Sequence, residues 1–496
     1  KEINRNMGLK TRLLASGKTE DNEFNISLLG FKIAVNDGLT VFNLVDGVVD
    51  EFHDESGTDE AEGTNDRYLA DCDAYTNTSL TPGTFSAGFT TTTVTEADTS
   101  TAQSQPAAGS YTVPCGMTAA NIKLFGAGGG SGQASGSPTL GYGGGGGYVE
   151  GTLAVTAGQV LDVYVGEGGN SGGSGSSEAF FQGGARGPHG GNGAGGTFVT
   201  VGEVDLTPAA APLAPSIALA AGGGGGGGGS YGSGGGGGGG LTGCAGESQS
   251  EQTNRSNGQT GGGGDQEQGG QGGCTSNAGQ SGSFLVGGNG GNAGGGGGFY
   301  GGGGGGGGNA SHGGGGGGGS SYYGHPQITS GATEEAEGPV GGGDSNESGA
   351  ANPDFNESSE YGEGGAPGGQ NAGNDGFVLI SGSGSVPSPG GSTTIVSNAF
   401  STSGIVPTTS RIVVFQENVD SITLNTDVVA SISRDGGSNF TTATLSDSGY
   451  ITGSSGQRIL TGQAVVSGQP SGQSMRWKLA LANNTSKIHG VSLQWS

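Results

Sequence analysis

Apolar residues between positions 24 and 52 recur at alternating steps of four and three: Phe24, Leu28, Phe31, Val35, then Gly38, Phe42, Val45, Val49 and Phe52. That spacing is a heptad seam broken at Gly38, and it predicts a helix. A seam on one helix must bury against something, so the helix is expected to pack on copies of itself or on a partner. A core helix of a small domain fits the same spacing. Asn36-Asp37-Gly38 weakens the middle, because glycine costs a helix about 1 kcal/mol.

Beyond residue 110 the pattern changes to period two. Segments 111–114, 121–127, 148–155, 160–165, 197–201, 217–220 and 377–380 partly alternate apolar with polar residues, as half-buried strands require. From about Thr393 the chain reads as ordinary β protein, with strands at 411–415, 421–424, 428–432, 475–481 and 491–495. Asp435-Gly436 is a hairpin signal. That density of short strands predicts a sandwich.

Between Ala220 and Phe377 lie the glycine tracts. Residues 221 to 330 contain 54 Gly in 110 positions, with unbroken runs at Gly222–Gly229, Gly234–Gly240, Gly301–Gly308 and Gly313–Gly319. Such tracts usually behave as flexible coil. Here both ends are pinned by strands, and runs of similar length are separated by short polar or aromatic turns. The ordered alternative is a bundle of threefold, polyproline II-type helices made of glycine. These have no internal hydrogen bonds and rise about 3.1 Å per residue. Their amides must find partners on neighbouring rods, and only glycine permits that approach.

The resulting fold class is mainly β. An N-terminal helical segment occupies 1–60, and an acidic, Thr/Ser-rich linker 61–108. A glycine-rich β-sandwich with a packed polyglycine II bundle covers 109–386, and a C-terminal β-sandwich 387–496.

Composition agrees with several local cores rather than one. Gly supplies 121 of 496 residues, about three times its usual share, and no strict Gly-X-Y period points to collagen. The net charge is −27, and between Lys123 and Arg411 the only cations are Arg186 and Arg255. Phosphate neutralisation needs clustered Lys and Arg, so nucleic acid and anionic membranes are poor partners. No apolar run reaches the 18 or so residues of a membrane span, and the start, Lys1-Glu2-Ile3, lacks a signal-peptide core.

Acidic residues crowd 46 to 73. A solvated segment is the ordinary reading, with Ca2+ as an oxygen-ligand alternative lacking EF-hand spacing; no other cofactor is expected. Cys72, Cys115, Cys244 and Cys274 have no metal spacing, and for Cys244 and Cys274 both pairing and free thiols stay open. His53, His189, His312, His325 and His489 form no catalytic motif, and the expectation is a protein that is not an enzyme.

Four stretches resemble a known module: Tyr111-Thr-Val-Pro-Cys-Gly-Met117, Ile122-Lys-Leu-Phe-Gly-Ala-Gly-Gly-Gly130, Gly147-Tyr-Val-Glu-Gly-Thr-Leu-Ala-Val-Thr-Ala-Gly-Gln159 and Leu161-Asp-Val-Tyr-Val-Gly-Glu-Gly-Gly169. They are similar to the extracellular glycine-rich region of anaplastic-lymphoma-kinase-type receptors, and the glycine runs resemble those of phage tip adhesins. The flanks favour the second relative. Gly30-Phe-Lys-Ile-Ala-Val35, Asn43-Leu-Val-Asp-Gly-Val-Val-Asp50 and Ser56-Gly-Thr-Asp59 resemble the N-terminal segment of marine phage fibre and appendage proteins. Gln469-Pro-Ser-Gly-Gln-Ser-Met-Arg-Trp477 and Ile488-His-Gly-Val-Ser-Leu-Gln-Trp-Ser496 resemble their terminal β-domain.

The resemblance implies an extracellular virion part: a tail-fibre or spike adhesin that binds a host glycan or protein. The alternatives are a purely architectural virion protein and a polysaccharide depolymerase. It also implies a homo-oligomer, a trimer by analogy with fibres, held to other virion proteins through the N-terminal segment. Attachment is assigned to Phe24, Leu28, Phe31, Val35, Phe42, Val45, Val49 and Phe52. Receptor contact is assigned to the aromatic turn residues Tyr231, Phe299, Tyr300, Tyr322 and Tyr323, with His325 beside them. The competing role for these rings is to cap the ends of the glycine bundle.

Overall fold

The computed structural model describes residues 41–44, 47–52, 54–64, 67–69, 73–77, 80–90, 108–114, 116–132, 141–172, 183–187, 189–202, 216–229, 233–247, 260–274, 277–307, 313–336, 361–366, 371–387, 391–402, 404–450, 457–483 and 486–496. Every regular element among them is a strand. In chain order these are β1 (Val41–Leu44), β2 (Gly47–Asp50), β3 (Arg67–Leu69), β4 (Ala74–Thr76), β5 (Leu80–Phe89), β6 (Ala108–Thr112), β7 (Ala119–Phe125), β8 (Tyr148–Ala154), β9 (Val160–Tyr164), β10 (Thr197–Val201), β11 (Ile217–Ala221) and β12 (Phe284–Leu285). They continue with β13 (Gly298–Tyr300), β14 (Ile328–Glu334), β15 (Phe377–Pro387), β16 (Thr393–Val396), β17 (Phe400–Ser401), β18 (Thr409–Asn418), β19 (Val428–Ser433), β20 (Thr441–Tyr450), β21 (Gln457–Val465), β22 (Ser474–Leu481) and β23 (Ser486–Trp495).

The chain divides into two compact units, Lys1–Gly83 with Ser385–Ser496, and Thr84–Gly384. In the first, strands follow the order β1-β2-β23-β18-β21-β20-β19-β22-β16. The long strand β20 belongs to two ladders. Its first residues pair with β19 (Ala443 opposite Ala430), and from Thr444 it pairs with β21 (Thr444 opposite Gln463). One strand therefore carries the sheet round a corner, and the enclosed core holds Phe52, Tyr75, Trp477, Ile412, Val414, Leu479 and Leu493. β22 alternates as its sequence predicts, with Met475, Trp477, Leu479 and Leu481 inward. The strand expected at 421–424 is absent; Leu424 makes only a single bridge to Val428.

The helix expected across 24–52 is overturned over its described part. β1 and β2 form an antiparallel hairpin, Phe42 opposite Val49, and β2 pairs along β23 from Gly47–Gln494 to Asp50–Val491. Val48, Val49 and Phe52 are fully buried there. Phe52 takes φ 57°, which no helix interior accepts. The cause is tertiary: β23 pairs with the backbone of β2 while the core buries Val48, Val49 and Phe52, and a lone helix has no such core to bury its seam. Phe24, Leu28, Phe31, Val35 and Val45 lie outside the described residues. Of the segment expected as linker, β3, β4 and β5 are strands, and β4 pairs β23 at Tyr75–Ile488.

The second unit has a four-stranded sheet, β11-β10-β9-β6, and a five-stranded sheet, β14-β8-β7-β15-β5. Both feed one apolar core: Ile122, Leu124, Val149, Leu153, Val378 and Ile380 from the larger, and Leu161, Val163, Val199, Ala218 and Leu219 from the smaller. In β7 the alternation is clean, with Ala120, Ile122 and Leu124 inward and Asn121 and Lys123 outward.

Candidate functional site

The glycine segments grow directly out of these strands. β7 and β8 pair at Phe125–Tyr148, and the same two chains stay bonded beyond. The amides of Gly126, Gly129 and Gly132 donate to the carbonyls of Gly147, Gly144 and Gly141 at 2.9, 2.8 and 2.9 Å. The antiparallel register continues, but the step has changed from two residues to three.

Gly222–Gly229, which follows β11, is buried along its whole length. Its amides turn round three neighbours. Gly223 and Gly226 donate to Gly297 and Gly294 (2.7 and 2.8 Å), Gly224 and Gly227 to Ala127 and Gly130 (2.9 and 2.8 Å), and Gly225 and Gly228 to Gly236 and Ser233 (2.9 and 2.7 Å). Its carbonyls turn round three more. Gly222 and Gly225 accept from Gly147 and Gly144 (2.8 and 2.9 Å), Gly223 and Gly226 from Gly319 and Gly316 (3.0 Å each), and Gly224 and Gly227 from Ala194 and Gly191 (2.9 and 2.8 Å). Each third residue thus meets the same neighbour, and six rods surround one. Buried backbone groups demand partners, and here other rods supply them. A Cβ on Gly226 would lie 2.1 Å from the carbonyl oxygen of Gly191, so no side chain fits at that position.

The rods share one end away from the strands. Gly132 meets Gly141 there, Gly172 meets Ser131, Gly228 meets Ser233, Glu247 meets Gly234, and Gly314 meets Gly306, all through backbone bonds of 2.7 to 3.1 Å. Chain segments 133–140, 173–182, 230–232, 248–259, 308–312 and 367–370 lie outside the described residues. Tyr231 is among them.

The other assigned aromatic residues sit at the strand end. Phe299 stacks on Tyr322, with centroids 4.1 Å apart and planes at 12°. Phe284 meets Phe299 and Tyr300 edge-on, at 5.6 and 5.5 Å. With Tyr164, Phe198, Ile217 and Leu285 they make a separate apolar cluster. Phe299 is only 6 % exposed and His325 8 %. The His325 Nδ1 accepts the Gln327 amide at 3.2 Å, and Tyr323 packs on the core between the two sheets. As an exposed recognition surface, the assignment of Phe299 and His325 is corrected: rings that large end in the place that buries them best, and the bundle's strand end is that place.

Two buried asparagines escaped the sequence reading. The Asn292 Oδ1 accepts the Gly229 amide at 2.9 Å, standing in for a rod carbonyl, and Asn192 accepts the Arg186 amide at 3.2 Å. Their signal was a lone Asn inside a glycine tract. Cys244 and Cys274 are both free thiols, and burial beside Glu335 pushes the Cys244 thiol up.

Charged groups are also held in the first unit. Arg434 is buried, and its guanidinium donates to the carbonyls of Pro407 (2.7 Å), Ser467 (3.0 Å), Pro470 (3.1 Å) and Gln469. Glu417 takes Lys487 at 3.1 Å and His489 at 2.9 Å; burial works against its charge, but these partners hold the carboxyl below its usual range. Asp50 is fully buried and its Oδ2 has no hydrogen-bond partner. Burial, with Asp54 and Glu51 nearby, pushes its carboxyl up to about 7.

Within the acidic segment expected as a Ca2+ candidate, Asp59 pairs with Arg476 at 2.8 Å, while Asp46, Asp66 and Asp71 lie outside the described residues. Among the described residues no three His, Cys, Asp or Glu side chains gather round one point, and no helix is long and apolar enough to cross a membrane. No protein-family model matches the chain, and no curated protein matches it.

Proposed function

We propose that the chain is an adhesin on a phage tail fibre or spike, in which a polyglycine II bundle mounted on a β-sandwich presents its far-end connections to a host surface glycan or protein. The observation that carries this reading is the common end of the rods. A six-neighbour lattice is stiff across its section and leaves few positions inside it for side chains, so the connections between rods are where side chains are free to differ. Stiff scaffolds with variable loops at one end are where binding residues concentrate. Tyr231 follows Gly229 and precedes Ser233 in the sequence, and both of these flanking residues lie at that end. In this reading the chain is a homo-oligomer held to other virion proteins by its N-terminal residues, although the heptad seam no longer argues for self-association over residues 41–52.

Immunogold labelling of virions that carry the chain, together with binding of the purified full chain to bacterial cells and arrayed surface polysaccharides, tests the proposal. Exterior label with saturable binding that Tyr231→Ala weakens is expected. Exterior label without binding would leave a purely architectural part. Release of new reducing ends from a bound polysaccharide would make it a depolymerase. Absence of exterior label would end the virion reading.

A further inference from the structure

The threefold period makes a rod's glycine content a record of its neighbours. Gly222–Gly229, with six neighbours, is all glycine. The segment 269–274 reads Gly-Gly-Gln-Gly-Gly-Cys, and its residues sort by position in the triplet. A Cβ on Gly270 would strike the Gly262 carbonyl oxygen at 1.9 Å, and one on Gly272 the Gly279 carbonyl oxygen at 2.1 Å. Gln271 and Cys274, three apart, face solvent.

The segment 277–282 reads Asn-Ala-Gly-Gln-Ser-Gly, with one glycine per triplet. Gly279 and Gly282 are the residues facing the rod 301–307, where a Cβ would stand 1.9 and 2.1 Å from the carbonyl oxygens of Gly304 and Gly301. Asn277, Ala278, Gln280 and Ser281 are exposed. The same triplet recurs at 371–376, Asn-Ala-Gly-Asn-Asp-Gly, where a Cβ on Gly373 would lie 1.9 Å from the Gly128 carbonyl oxygen.

This border is chemically unfinished. The amides of Gln271, Cys274, Ala278 and Ser281 have no backbone acceptor among the described residues. On each rod they recur every three residues, about 9 Å apart, which is the spacing at which another glycine rod would dock. A row of backbone donors without acceptors among the described residues invites addition of a further chain, as at the edge of a sheet.

We propose that the side chains at Gln271, Cys274, Ala278 and Ser281 fence this border, so that the lattice stops there and does not add the glycine rods of a second copy. Glycine inside and a side chain at each outward triplet position are two halves of one device. The interior needs backbones to touch, and the border needs them kept apart.

The test is sedimentation of the full chain under reducing conditions. The parent is compared with a variant carrying Gln271→Gly, Cys274→Gly, Ala278→Gly and Ser281→Gly, and hydrogen exchange at the Gly222–Gly229 amides reports whether the lattice persists. The expected result is protected amides with a concentration-dependent rise in mass to about twice the parent's or more. Unchanged mass with protected amides would overturn the proposal. If the fourfold variant loses protection, the pair Gln271→Gly and Ser281→Gly is read in the same way, and loss of protection there too would show that these side chains hold the lattice together rather than fence it.

Discussion

The ring of Phe299 lies flat against that of Tyr322, 4.1 Å away, where the last residues of one glycine rod become strand and the first of another leave it. The contact ties the rods to the strands. Truncating Phe299 to Ala should leave a cavity and cost roughly 3–5 kcal/mol. Calorimetry on the full chain should show the loss, whereas a ring used only at the surface would shift stability by no more than about 0.5 kcal/mol.

A methyl group inside the lattice should be far worse than one at its border. In Gly226→Ala the new Cβ meets the Gly191 carbonyl oxygen at 2.1 Å, and overpacking of this kind costs about 1–3 kcal/mol or more. Because each rod bonds to its neighbours, faster hydrogen exchange should spread to the amides of Gly191 and Gly316, which donate to Gly227 and Gly226. Gln280→Ala, at an exposed position, should leave those amides unchanged.

Asp50 should make stability fall with rising pH. Its folded value, about 7, lies above the unfolded value of 3.8. Below about pH 4 the carboxyl is protonated in both states and costs nothing. Between about 4 and 7 the unfolded chain ionises first, so the folded state holds more protons and stability declines as pH rises. Above 7 the penalty is complete, on the order of 4 kcal/mol. Asp50→Asn should therefore unfold at higher denaturant than the parent at pH 8, with the difference vanishing near pH 4. Equal differences at both pH values would contradict it.

Arg434 should be irreplaceable by lysine. Its planar fork reaches the carbonyls of Pro407, Ser467, Gln469 and Pro470 together; an ammonium group cannot span them. Hydrogen bonds to a charged group are worth about 1.5–3 kcal/mol each, so Arg434→Lys should lower the stability of its unit by at least roughly 3 kcal/mol in urea unfolding.

Much of this architecture is local and could be read from the chain. Alternation in Ala119–Phe125 and Ser474–Leu481 specifies strands because a pleat sends successive side chains to opposite faces. An eight-glycine run pinned between strands specifies rods because no other residue lets backbones meet. Even the border was written in triplets such as Asn277-Ala-Gly-Gln-Ser-Gly282, although their meaning depends on knowing that the repeat is three. Tertiary structure alone decided the rest. Val41–Asp50 satisfies a helical period and an extended one, and pairing with Ser486–Trp495 over the core that buries Val48 and Val49 settles the choice. Phe299, Tyr300 and Tyr322, which flank glycine runs, look like display positions in sequence; their place at the strand end, where Phe299 and Tyr322 find each other, follows from which rods are neighbours. Local propensity is set by each residue and the few beside it, whereas pairing across 400 residues depends on which edges remain open once the sheets have formed.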